Sequence, residues 1–224
     1  MPECIKRNPS TTQWRNWGDF MYLSRIELNI ELRETMKALV SPSKFHGAIE
    51  DSFSGERARR LWRIDDLNGE KYILILSEKI PNLEHFAEQF GYLGKYETKD
   101  YSILLNRITD NEKWRFRLTA NPTVSKSHGK IMAHVTSEYQ KKWLMDRAER
   151  CGFALYEEAF QTVQSKWYNF SKRDGDKTAN IRLLSVTFEG VLTIINSDKF
   201  KETLCRGIGR EKAYGQGLMT IVRV

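Results

Sequence analysis

The stretch RLWRIDDLNGEKYILILS, residues 60–77, decides the architecture. RLWRID (60–65) and KYILILS (71–77) read as two strands, and the linker Asp66-Leu67-Asn68-Gly69-Glu70 between them holds an Asn-Gly pair. That dipeptide favours a tight hairpin turn because both residues tolerate positive φ. Moving towards the N-terminus, Ser41 followed by Pro42 predicts a helix N-cap with proline at the first helical position. The helix it opens runs through Phe45, Ile49 and Phe53. Before it, MYLSRIELNI (21–30) sets Tyr22, Ser24, Ile26, Leu28 and Ile30 on one face, the alternation of a half-buried strand. Moving towards the C-terminus, Asn82 predicts the cap of a helix through Phe86 and Phe90 that stops at Gly91. Tyr101 to Ile108 predicts a fourth strand. The order β-α-β-β-α-β is the ferredoxin-like unit.

The rest of the chain repeats that order less cleanly. WRFRLTA (114–120) alternates as a strand, and a basic hairpin-like stretch with Lys126, His128 and Lys130 follows. Thr136 predicts the cap of a helix through Trp143, Leu144, Arg147 and Ala148 that ends at Cys151-Gly152. Two long strands, around 160–170 and 181–195, flank the charged turn KRDGDK (172–177), and Ser197 predicts the cap of a helix to Leu204. The last segment, GIGREKAYGQGLMTIVRV (207–224), is a glycine-rich loop feeding a terminal strand. The fold class is therefore α+β, two tandem ferredoxin-like (RRM-like) domains with antiparallel sheets, over 21–113 and 114–224. One larger α+β domain is the alternative. Residues 1–20 show neither period and read as an N-terminal extension before a second start at Met21, with Trp14 and Trp17 docked or loose.

Composition narrows the function. The chain of 224 residues carries 36 Lys+Arg against 29 Asp+Glu, a net charge of +7. Residues 1–113 hold 17 basic and 18 acidic side chains and residues 114–224 hold 19 and 11, so all the surplus lies in the second half. A polyanion such as nucleic acid is the usual partner of such asymmetry. No amphipathic Lys/Arg helix points to a membrane surface, and no window approaches the roughly 18 apolar residues of a membrane span. A cytoplasmic protein is expected. Cys4, Cys151 and Cys205 are odd in number and widely spaced, so neither a disulfide scaffold nor structural zinc is expected.

Among the four histidines, His85, His128 and His134 have contexts that suit surface or boundary positions, and none stands at metal-ligand spacing from another with a carboxylate. No metal or cofactor is expected. His46 differs, because it lies in the first turns of a helix, with Lys44 two residues before it and Gly47 directly after. The N-terminal end of a helix offers unpaired N–H groups and a positive dipole end that suit a phosphate held near an imidazole. An imidazole that titrates near neutrality can take a proton from a ribose 2′-hydroxyl or give one to a leaving 5′-oxygen, for about 10²- to 10⁴-fold in rate. A plain helix-surface histidine is the competing reading. The loop 207–217 has four glycines that let the backbone approach a ligand, while Arg210 and Lys212 add charge. It is neither a P-loop nor a Rossmann fingerprint, because no GK[ST] follows and it enters a strand from a helix. Phosphate contact or a tight turn remain.

Together MYLSRIELN (21–29), the helix carrying His46, RFRLTANPT (115–123), TFEGVLTI (187–194) and GIGREKAYGQGLMTI (207–221) resemble the CasE family, the CRISPR repeat-processing endoribonucleases of type I-E systems. The resemblance runs in order from Met21 to the C-terminus. It implies two ferredoxin-like domains and metal-independent cleavage of precursor CRISPR RNA at the base of the repeat hairpin, leaving a 5′-hydroxyl and a 2′,3′-cyclic phosphate. The family's helix histidine falls on His46. Some members place a tyrosine three residues before it, where this chain has Ser43; a serine hydroxyl can orient a phosphate oxygen but is a poor proton donor, so Lys44 is the candidate to contribute in its place. Basic residues in the family's turn between long strands correspond to Lys172 and Arg173, as electrostatic clamps or as an exposed charged turn.

An A-form stem hides its base edges, so backbone and unpaired ends are what a protein reads. The expected RNA contacts are Arg117, Lys126, Lys130, Lys141, Lys142, Arg147, Arg210 and Lys212, with Gly207 and Gly209 in the loop. The implied partners are the CRISPR repeat RNA hairpin and other subunits of the type I-E effector complex. A non-catalytic RNA-hairpin-binding subunit of that complex is the alternative. A general RRM-like module would need an RNP1-type motif, and none is present.

Overall fold

The computed structural model describes residues 21–55, 58–125, 129–174 and 177–224. The expectations for residues 1–20, Lys126, His128 and the Arg173 side chain lie outside the described residues. The hairpin forms as its turn demands: β2 (Leu61–Leu67) and β3 (Glu70–Ser77) pair antiparallel, Leu67 opposite Glu70. Asn68 (φ 53°) and Gly69 (φ 87°) are both left-handed, the requirement of a two-residue type I′ loop. β1 (Tyr22–Leu28) lies beside β3 and buries Ser24, Ile26 and Leu28. Ile30 falls beyond the strand and is exposed.

Two helices, not one, connect β1 to β2: α1 (Arg33–Val40) and α2 (Ser43–Asp51). α3 (Glu84–Phe90) starts where the Asn82 side chain accepts from the Glu84 N–H at 3.2 Å. The fourth strand is not Tyr101–Ile108. It is β4 (Gly91–Asp100), which leaves α3 without a loop and pairs with β1. Gly91 permits this, since a Cβ there would stand 2.5 Å from the Glu27 carbonyl oxygen. Residues Ser102–Leu105 are instead a short helix, α4. Tyr101, Leu105 and Ile108 are the buried ones while Ile103 is exposed, which is a helical period. The sheet order β2-β3-β1-β4 is the ferredoxin-like order.

The second unit starts with β5 (Lys113–Ala120), followed by the small hairpin β6 (Thr123–Ser125) and β7 (Ile131–Ala133), then α5 (Ser137–Ala148). Next come β8 (Phe153–Ala154) and the long pair β9 (Phe160–Asp174) and β10 (Lys177–Ile194), then α6 (Ser197–Arg206) and β11 (Met219–Arg223). The order is β11-β5-β10, with β8 and β9 both on the far edge of β10. α6 is capped one residue earlier than expected: the Asn196 side chain accepts from the Lys199 N–H at 2.9 Å, while the Ser197 N–H donates to Asp110. Thr136 occupies the α5 N-cap without a side-chain bond.

Among the described residues two large apolar cores result, beside a small cluster of Phe170, Leu183 and Tyr214. One, under α2 and α3, contains Phe45, Ile49, Phe86 and Phe90 against Ile26, Ile73 and Ile75. The other is continuous across both units, joining Met21, Leu61 and Leu76 to Phe116, Leu118, Phe188 and Leu204. Two ferredoxin-like units are thus packed on a shared core. Among the described residues, no helix is long and apolar enough to cross a membrane.

Candidate nucleic-acid interface

Helix α2 opens where Ser41-Pro42 predicts, but through the backbone. Pro42 already has helical angles (φ −56°, ψ −18°), and the Ser41 carbonyl accepts from the Lys44 N–H at 3.0 Å. The Ser41 hydroxyl lies 3.1 Å from the Ser43 hydroxyl and caps nothing. Phe45 and Ile49, four residues apart, are fully buried, and the Phe45 ring meets Phe90 at 5.1 Å and Trp62 edge-on at 6.0 Å. Those contacts fix the helix's rotation, so His46 sits half-buried at its rim. Beside it, Gly47 has nothing within 4 Å of a would-be Cβ, and the helix is open there. The exposed Lys44 ammonium lies 3.7 Å from Glu34, which it shares with Lys37; the Lys37 hydrogen bond holds that carboxyl below the usual range.

The glycine-rich loop reaches this helix from the other unit. Its neck is closed by the Ile208 N–H donating to Gly217 (3.0 Å) and the Gly217 N–H donating to Thr119 of β5 (2.6 Å). Two of its glycines seat the loop against tryptophans. At Gly215 (φ 77°) a Cβ would stand 2.8 Å from the Trp62 ring, and at Gly209 (φ 87°) 3.2 Å from the Trp143 ring. Between them a 3₁₀ turn, Lys212–Tyr214, packs beside α2 and β2. Burial lowers the Lys212 pKa first, and the charges of Arg59 and Arg206 lower it further. A half-buried ammonium among guanidiniums is a place that favours an anion. Tyr214 also meets Phe170 of β9 edge-on at 5.0 Å.

On the far side of the loop, Gly209 and Arg210 line a groove of about 540 Å³ with Trp143, Arg147, His134 and Tyr139. The Arg147 guanidinium lies over the Trp143 ring at 4.2 Å and donates to the Trp143 carbonyl, and burial lowers its pKa. His134 stacks on Tyr139 at 5.9 Å; burial and then Arg147 lower the imidazole pKa. The groove is cationic with aromatic surfaces, the combination that holds backbone phosphates and unpaired bases.

The loop, with Gly207, Gly209, Arg210 and Lys212, thus lies between α2, which carries Ser43, Lys44 and His46, and the groove lined by Arg147. Lys130 is exposed at the β6–β7 hairpin, and Lys172 is exposed where it pairs with Ala179 near the end of the long hairpin. Two expected contacts are otherwise engaged. Arg117 is ion-paired with Glu189 and lies 3.2 Å from Asp65 inside the sheet packing, and Lys141 donates to the Glu157 carbonyl at 2.6 Å over the Phe160 ring. Lys142, not Lys141, lines the groove, and it too is engaged there, with Asp146 at 3.1 Å. Arg117→Gln is expected to cost about 1–3 kcal/mol of stability, since it removes the hydrogen bond to Glu189 and the ion pair with the buried Asp65, and to leave RNA affinity within about twofold; denaturant unfolding and a binding titration check this. The sequence reading missed Arg59, Arg206, Trp143 and Tyr139. Only Arg206, adjacent to the loop, carried a positional signal.

Among the described residues, no three His, Cys, Asp or Glu side chains converge as metal ligands. Cys205 is a free thiol that burial pushes up to about 11. A family described as CRISPR associated protein matches residues 21–223. The chain is 28% identical over 212 residues to the CRISPR-associated endoribonuclease Cse3 of Thermus thermophilus, covering 90% of this chain and 99% of that relative. In structure it is similar to Thermus thermophilus Cse3 bound to an RNA representing a pre-cleavage complex, with a TM-score of 0.74 at 25% identity over 91% of this chain and 99% of the other. It also shares its fold with a chain of a CRISPR RNA-guided surveillance complex in a pre-nicking state, with a TM-score of 0.67 at 22% identity over 91% and 100% of the two chains.

Proposed function

Because the chain belongs to the CRISPR associated protein family and is CasE-like within it, we propose that it is a metal-independent endoribonuclease that cuts precursor CRISPR RNA at the base of the repeat hairpin. The observation that carries this reading is the packing of the cation-bearing turn Lys212–Tyr214 beside α2, the helix of His46. The helix that carries His46 and the turn that carries Lys212 come from opposite halves of the chain and pack side by side.

The reaction is in-line attack by the ribose 2′-oxygen on the adjacent phosphorus. The 2′-O–P bond forms and the P–O5′ bond breaks, leaving a 2′,3′-cyclic phosphate and a 5′-hydroxyl. His46 takes the 2′-hydroxyl proton as base or gives one to the departing 5′-oxygen as acid. Lys212, with Lys44 at the helix start, offsets charge growing on the non-bridging oxygens. Ser43 orients a phosphate oxygen. Arg147 and Arg210 hold the RNA along the groove, Lys130 and Lys172 extend the basic track, and the processed RNA stays bound as part of the type I-E effector complex.

Serine at position 43, where some family members have tyrosine, favours one second reading, a hairpin-binding subunit that does not cut. Incubation with the cognate repeat RNA separates them. The nuclease reading expects a single cut below the stem. Tight binding of RNA that stays whole would favour the subunit.

A further inference from the structure

Strand β2 carries, beside Trp62, an arginine that is only 1% exposed. All five N–H donors of Arg63 are used. Nε and Nη2 donate to the two carboxylate oxygens of Asp65, each at 2.7 Å, and Nη2 donates again to the Thr220 hydroxyl at 2.8 Å. Nη1 donates to the Arg117 carbonyl at 2.7 Å and to the Leu218 carbonyl at 3.1 Å. A guanidinium has no other donors. Asp65 belongs to the first unit, and the remaining three acceptors all belong to the second. Asp65 in turn faces Arg117, which pairs with Glu189, so a charged chain crosses from β2 through β5 to β10.

This cluster sits in the core that the two units share, with Leu61, Leu76, Leu118 and Met219 in the same apolar cluster. Apolar side chains of matching volume would hold the units together about as well, because burying an ion pair costs desolvation that its attraction only offsets when the geometry is good. What apolar contact lacks is direction, since two greasy faces can slip by an ångström. A planar fork with every donor committed cannot. Its location gives that rigidity a use. Leu218 is the first residue after the neck of the glycine-rich loop, Thr220 follows in β11, and Trp62, the residue before Arg63, touches both Phe45 of α2 and the space at Gly215.

We infer that Arg63 is a positioning residue that sets the register between the glycine-rich loop and helix α2, and so between the cations of the loop and His46. The inference rests on the nuclease reading for its chemical consequence and on the hydrogen-bond fork for the register itself. Arg63→Lys keeps the charge but loses the fork. A second variant, Arg63→Met with Asp65→Leu, removes both charges and leaves no buried carboxylate behind should the lysine fail to fold.

Amide hydrogen exchange of the RNA-free protein and single-turnover cleavage at saturating repeat RNA test it together. Exchange is expected to rise across 207–223 and stay unchanged in β1 and β3, and the cleavage rate is expected to fall about 10- to 100-fold with affinity within about threefold, the cost of a displaced catalytic geometry. Unchanged exchange at 207–223 overturns the register, whatever the RNA does. Raised exchange with an unchanged rate overturns the link to chemistry, and a uniform rise across the chain reduces Arg63 to a general stabiliser. A wild-type protein that binds but does not cut would defeat the nuclease reading while the exchange result still decides the register.

Discussion

His46→Ala is expected to lower the single-turnover rate of repeat cleavage by about 10²- to 10⁴-fold, the usual worth of a positioned general acid or base. The hairpin's affinity is expected to change little. Both halves of that expectation come from the helix. Phe45 and Ile49 carry the packing of α2, and His46 sits half-buried at the rim beside open space at Gly47, so alanine removes an imidazole without opening the core. The cationic groove proposed to hold RNA lies on the other unit, around Arg147 and Arg210. A gel-resolved time course with excess protein, paired with a filter-binding titration, measures the two separately. Loss of binding in step with loss of cutting would mean that His46 grips the RNA and does not act on it.

Gly215→Ala is expected to harm both folding and cutting. The residue has φ 77°, where an L side chain costs about 1–2 kcal/mol. The added methyl would also stand 2.8 Å from the Trp62 ring. That ring is 1% exposed and has Phe45 against it, so it has nowhere to go and the loop must move instead. Overpacking of this kind adds about 1–3 kcal/mol. For a chain of this size the sum corresponds to a fall of roughly 5–15 °C in thermal midpoint, read by scanning calorimetry. The fraction that stays folded is expected to cut about 100-fold more slowly, because the loop cations no longer face α2 in the same place. Wild-type stability in this variant would show that the loop is not seated on Trp62.

The parts of the fold legible in the sequence are those where a local rule and the tertiary environment agree. The Asn68-Gly69 turn, the alternation of WRFRLTA and the Phe45–Ile49 spacing each specify their own conformation, and each appears as read. β4 was illegible because an edge strand with one neighbour buries little. Its residues GYLGKYETKD are mostly exposed or half-exposed, and the apolar residues that suggested a strand lie just beyond it in α4. α1 was missed because its buried face is Thr35 and Ala38, too small to make a hydrophobic stripe.

The site shows the same division. His46 and the glycine-rich loop stand out because their residue types are unusual for their neighbourhoods. Counting positive charge could not tell Arg147, which stays in the groove, from Arg117, whose carboxylate partners come from 52 and 72 residues away in sequence. Arg63 is the extreme case. Within an alternating strand it looks like a solvent-facing residue, and only the meeting of two sheets makes it the centre of a buried network.

The central claim is that His46 and the loop cations carry out a transesterification within the RNA itself. The most direct measurement is the chemistry of the product ends after the cognate repeat is cut in excess EDTA. The account predicts full cutting, a 2′,3′-cyclic phosphate on the upstream fragment and a 5′-hydroxyl on the downstream one. Cutting that stops in EDTA, or a 5′-phosphate on the downstream fragment, would contradict it.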